Sequence, residues 1–189
     1  MPPEASLAHP GARSRPGRGG RRERCDFDVG DTLVLAHHGV GTVVERRVRD
    51  LGWGRREYLT VELHRHSMTV RIPTAALDRA RLRPVASAAE LRRCLNTLEA
   101  APQAAPGHWA NRRKEALSKI GSGDPRQLAE LVRDLARLGS AKPLAANDRG
   151  FYTTARELLE SELAVALELD RPAAAAEIDR RLPCRPVGS

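Results

Sequence analysis

A chain of 189 residues can bury one good hydrophobic core or two small ones, so two compact modules is the upper bound. With 41% apolar and 30% charged residues it is too rich in core-forming side chains for wholesale disorder. Thirty-two Lys and Arg against 24 Asp and Glu leave a formal charge of +8, which favours a polyanionic partner, nucleic acid ahead of a membrane surface.

Residues 1–24 hold six arginines and almost no large apolar side chains, so a disordered cationic tail is expected there. It is either a phosphate-seeking arm or a solubilising extension. The tail lacks the apolar core of a signal peptide, and no run of about eighteen apolar residues follows it, so a cytoplasmic, nucleoid-associated protein without membrane contact is expected. Cys25, Cys94 and Cys184 are three lone thiols without zinc or redox spacing, and reduced cysteines are the expectation.

A β module is expected over residues 25–86. From Phe27 to Val85 β-branched runs alternate with Gly and Pro, the texture of short strands and tight turns. TLVLAHHGVGTVVERRV predicts two strands around a His38-Gly39 turn, DLGWGRR another turn, EYLTVELHR a third strand, and MTVRIP a strand ended by Pro73 after a break at His66-Ser67. Such a short antiparallel meander normally curls up to protect its edges, so an SH3/Tudor-like barrel is expected.

Residues 87–185 predict an all-helical module. Ser87 with Glu90 three positions on forms a capping box for a first helix, ASAAELRRCLNTLEA. After the Pro-rich APQAAPG, HWANRRKEALSKI predicts a helix stopped by Gly121. Asp124 caps a third helix, with Pro125 at its first position, through Leu138. An apolar-periodic stretch from Asn147 to Leu169 and an Ala-rich helix to Leu182 complete the module.

The stretch FDVGDTLVLAHHGVGTVVERRVRDLGWGRREYLTVEL, followed by MTVRIP and LRPV, resembles the RNA polymerase interaction domain shared by the CarD and CdnL transcription factors and by the transcription-repair coupling factor. HWANRRKEALSKIGSGDPRQLAELVRDLARL through TARELLESELAVAL is similar to the C-terminal domain of CarD and CdnL, and the chain lacks the glycine-rich phosphate loop that a coupling-factor motor requires. The resemblance implies binding to the polymerase β subunit and promoter DNA; a monomer is expected, and the helices' lack of an Asn, Gln and Arg major-groove pattern leads to an expectation of little sequence specificity. By position in the motif it places Arg49, Leu51 and Arg71 against the β subunit. It also implies that Trp109 wedges against the upstream edge of the melted promoter bubble, with Arg112, Arg113 and Lys114 on the DNA backbone and a second patch at Arg149 and Arg156.

The residues alone leave alternatives at these positions. Arg49 and Arg71 are either contact residues or solvated charges that guard a sheet edge. Trp109 with Arg112 and Arg113 on a shared helix face suits a minor-groove wedge, but a Trp at a helix start also serves as a packing anchor between modules. Leu117 and Ile120 are expected to turn inward, and Trp53 to cover one end of the barrel. His37-His38 and His64-x-His66 supply at most half a metal site, and His108 is a weak helix cap or a DNA contact. No nucleophile–base pair or nucleotide loop is present, so no enzyme activity, cofactor or metal is expected. A stand-alone basic nucleoid protein is the competing function.

Overall fold

The computed structural model describes residues 27–50, 52, 54–65, 68–77, 79–101 and 109–183, with Trp109 described by its backbone alone. The expected N-terminal tail, Leu51, Trp53, the His66-Ser67 break, His108, Cys25 and Cys184 lie outside the described residues. In chain order the strands are β1 (Thr32–Leu35), β2 (Gly39–Asp50), β3 (Arg55–Leu63), β4 (Thr69–Pro73) and β5 (Leu82–Pro84). The helices are α1 (Ala88–Glu99), α2 (Trp109–Ser122), α3 (Pro125–Ala141), α4 (Ala146–Ala166) and α5 (Arg171–Arg181).

All strand pairings are antiparallel, in the order β4-β3-β2-β1-β5. The sheet is not closed into the expected barrel, because β4 and β5 form its two edges. Leu77 and Ala80, between those strands, pack instead on the core of Phe27, Leu33, Leu35, Val43, Leu59, Val61, Leu63, Ile72 and Leu82. A β-bulge between Val43 and Glu45 governs which face the later side chains of β2 take. Val43 lies opposite Val61 and is fully buried, and strict alternation would carry Glu45, Arg47 and Arg49 to the same core face. The extra residue, Val44, inverts that parity, so Arg46 comes opposite Leu59 and Glu45 opposite Thr60.

The helical core is built on Leu91, Leu95, Leu98, Leu128, Val132, Leu135, Leu158, Leu159, Leu163 and Ile178. Local signals set the starts of α1 and α3. Glu90 N–H donates to Ser87 Oγ at 3.3 Å while Ser87 N–H donates to the Glu90 carboxylate at 2.8 Å, and Arg126 N–H donates to Asp124 Oδ1 at 2.9 Å. Helix α2 runs through Gly121 rather than stopping there. A Cβ at Gly121 would come within 3.1 Å of the His37 ring, so this glycine permits close approach of the β1–β2 turn, and the helix ends at Gly123 with φ +66°. Leu117 does not turn inward; α2 buries Ala116 and Ile120, and Leu117 is 46% exposed. No helix among the described residues is long and apolar enough to cross a membrane.

The two modules are joined by polar contacts around a buried carboxylate. Glu162 of α4, only 1% exposed, accepts from Arg83 Nη1 at 2.5 Å, from Arg83 Nη2 at 2.7 Å and from the Ala86 N–H at 2.9 Å. Arg83 Nε also donates to Gly123 O at 2.9 Å and Arg81 Nη1 to Gly121 O at 2.6 Å, while Arg65 forms an ion pair with Glu157. The sheet is therefore held to α4 and to the C-terminal end of α2 at several points.

Candidate functional site

Past the bulge, the face of β2, β3 and β4 opposite the core carries two rows of side chains. Glu45, Thr60 and Arg71 lie side by side across the three strands, and Arg47, Tyr58 and Pro73 form the next row. Beyond them Arg49 lies opposite Arg56. Arg49 and Arg71 thus share a face although 22 positions separate them in the chain. Arg71 is exposed, whereas Arg49 is tethered. Its Nη2 donates to both oxygens of Glu45, at 3.0 and 2.8 Å, and Thr60 Oγ1 donates to Glu45 Oε2 at 3.2 Å. The hydrogen bond from Arg49 holds the Glu45 carboxyl below its ordinary value, keeping it ionised as an acceptor. Leu51, two positions beyond Arg49, lies outside the described residues.

At the other candidate surface, Trp109 occupies the first position of α2. Arg113 and Lys114 in the next turn are exposed. Arg112 is directed elsewhere: its Nη2 lies 3.5 Å from Asp148 Oδ2, and both side chains are largely covered. This pair ties the first turn of α2 to the first turn of α4, where Arg149 is exposed. Arg156 is not a free cation beside them. It is 20% exposed, with Nε donating to Glu160 and Nη1 to Asp179, both at 2.7 Å, and Nη1 also reaching Tyr152 Oη at 3.3 Å. Burial disfavours its charge, but the bonds to Asp179, Tyr152 and Glu160 outweigh burial and raise its hold on the proton. Arg156 thereby joins α4 to α5, and the five cations of the expected patch divide into exposed ones at 113, 114 and 149 and committed ones at 112 and 156.

Sequence reasoning did not single out Glu45, Arg83, Asp148 or Glu162. Only Glu162 left a readable signal, a carboxylate on the helical stripe of Leu158, Leu159 and Leu163, where an apolar side chain belongs. Of the histidines considered as ligands, His64 Nε2 lies 2.8 Å from Thr42 Oγ1, and burial lowers its affinity for the proton. Among the described residues no three His, Cys, Asp or Glu side chains converge as a metal site.

Comparison with known proteins bears on both modules. Residues 27–86 match the CarD-like/TRCF RID domain and residues 93–179 match the CarD C-terminal domain. YdeB of Bacillus subtilis (strain 168), named as a candidate transcription factor, is 30% identical over 139 residues, covering 74% of this chain and 91% of that protein. The two domain matches in this order, with the relative that spans both, identify the chain as a member of the CarD family.

Proposed function

We propose that this chain is a monomeric transcription factor that contacts the RNA polymerase β subunit with Arg49, Leu51 and Arg71 and promoter DNA with Trp109, Arg113, Lys114 and Arg149. Family membership supports the polymerase contact, and the observation that carries the residue assignment is the bulge at Val44, which sets Arg49 on the same sheet face as Arg71. Two guanidiniums beside an apolar residue suit a modest, transient protein interface. The helical module then lies at the upstream edge of the bubble, where the Trp109 indole wedges against the separated strands and the exposed cations bind phosphates. Arg112 and Arg156 act as scaffold, each held by carboxylates of its own module.

The factor shifts promoter opening by its differential affinity for the open complex over the closed one. A coupling of about 1–3 kcal/mol changes that equilibrium roughly 5- to 150-fold. No helix among the described residues carries the Asn, Gln and Arg pattern of a major-groove reader, so the factor serves many promoters. The test is retention of the full-length chain on an immobilised polymerase β fragment. The native protein and Trp109→Ala are retained, and Arg49→Glu and Arg71→Glu are not. Native-level retention of both charge reversals defeats the assignment. Tight duplex binding with a steep salt slope and no retention would instead support a stand-alone basic DNA-binding protein.

A further inference from the structure

We infer that Glu45 is a positioning residue of the polymerase-binding face, holding the Arg49 guanidinium in the orientation the partner meets. The inference rests on the reading that Arg49 and Arg71 carry that contact. An arginine on an open sheet face samples many rotamers, and ordering it on binding opposes association. Here Arg49 is ordered beforehand. Both Glu45 oxygens accept from the same nitrogen, Nη2, so one edge of the guanidinium is anchored while Nη1 keeps its donors for a partner. Nε is buried without a hydrogen-bond partner, so the guanidinium is covered on that side.

Glu45 is itself fixed from the opposite side. Thr60, almost fully buried on β3, donates its hydroxyl to Glu45 Oε2, and Thr60 is the cross-strand neighbour of Arg71. Hydrogen bonds thus link Arg49 through Glu45 to Thr60, whose cross-strand neighbour is the other proposed contact residue, Arg71. Arg47 Nη1 lies 3.8 Å from Glu45 Oε1, too far for a hydrogen bond but near enough for attraction, so the carboxylate also offsets repulsion among the cations of this face. A carboxylate at the centre of a cationic contact surface lowers its attraction for an acidic partner. Its compensating effect is geometric.

The two effects separate kinetically, because long-range charge acts on association whereas the quality of a formed contact acts on dissociation. Binding kinetics of the full-length chain on an immobilised polymerase β fragment provide the test. Glu45→Gln leaves association unchanged or faster and speeds dissociation about fivefold or more, and Thr60→Val speeds dissociation by a smaller factor, about twofold. In an Arg49→Ala background, Glu45→Gln has no further effect on dissociation, since the side chain it positions is gone. Native dissociation in Glu45→Gln, or an equal acceleration with and without Arg49, overturns the inference while leaving the polymerase assignment intact. If Arg49→Ala and Arg71→Glu themselves bind like the native chain, the assignment fails and the inference falls with it.

Discussion

Replacing Glu162 with Ala removes the acceptor of three hydrogen bonds at the joint between sheet and helices, two from Arg83 and one from the Ala86 N–H. Removing one partner of a buried ion pair costs about 3–5 kcal/mol, because the other charge is left without compensation. Arg83 is 26% exposed and keeps its bonds to Gly123 O, so it rehydrates in part and the lower end, about 3 kcal/mol, applies. For a chain of this length each 1 kcal/mol lowers Tm by about 2–4 °C, giving a fall of about 6–12 °C in calorimetry or a matching shift in the urea midpoint. The double variant Arg83→Met/Glu162→Met replaces the pair with apolar side chains of similar volume and should recover part of the loss, the remainder reflecting the Ala86 N–H and Gly123 O left without these partners. A loss under about 1 kcal/mol for Glu162→Ala, or no recovery in the double variant, refutes the reasoning that this pair holds the joint.

Trp109→Ala should shorten the lifetime of heparin-challenged open complexes at least about fivefold with retention on the β fragment unchanged, and a native lifetime removes the wedge. Arg113→Gln with Lys114→Gln should lower the salt slope of DNA binding by up to about two, roughly one for each phosphate no longer neutralised. Arg156→Met should leave that slope alone and instead cost about 2 kcal/mol of stability in urea, since it breaks one ion pair between α4 and α5 and one within α4. Burial pushes the Cys94 thiol up to about 11, so in a Cys25→Ser/Cys184→Ser background it should resist alkylation at pH 8 until the protein unfolds. With the folded value above the unfolded one, its contribution to stability is complete below about pH 9 and is lost as pH rises toward 11; stability constant across that window counts against the burial.

The features legible in the sequence were those whose cause lies within a few residues. Ser87 with Glu90 and Asp124 with Pro125 act through bonds spanning two or three positions, and the structure has them as caps. The run of strands followed by helices was legible for the same reason, since period and punctuation are local. What was not legible depends on partners far along the chain. Gly121 looks like a helix stop, but its lack of a side chain serves contact with His37, and the stop falls two residues later. Leu117 and Ile120 look equivalent until α2 is packed, when the line through Ala116 and Ile120 takes the core. Arg112 and Arg156 resemble their exposed neighbours in composition, and only the folding of Asp148 and Asp179 beside them distinguishes scaffold from surface. The bulge at Val44 is the most consequential case, because nothing in VVERRVR marks the extra residue and the exposed set of arginines depends on it.

The same bulge and joint bear on how the three exposed cations of the proposed DNA patch could suffice at a promoter. Arg113, Lys114 and Arg149 would bind duplex weakly on their own, as each phosphate contact loses strength with salt. Binding through the sheet converts the DNA contact into an intramolecular event, whose effective concentration depends on how closely the linkage matches the span between the two sites. A loose linkage would spread the start of α2 over a wide volume. The contacts of Arg83, Arg81 and Arg65 with Glu162, Gly121 and Glu157 instead fix α2 and α4 relative to the sheet, so a polymerase contact through the sheet would set the approach of the proposed wedge. On the proposed function, differential affinity for open over closed DNA would then follow from placement rather than from strong DNA binding, because a tightly bound but freely swivelling module would meet both states about equally and shift neither.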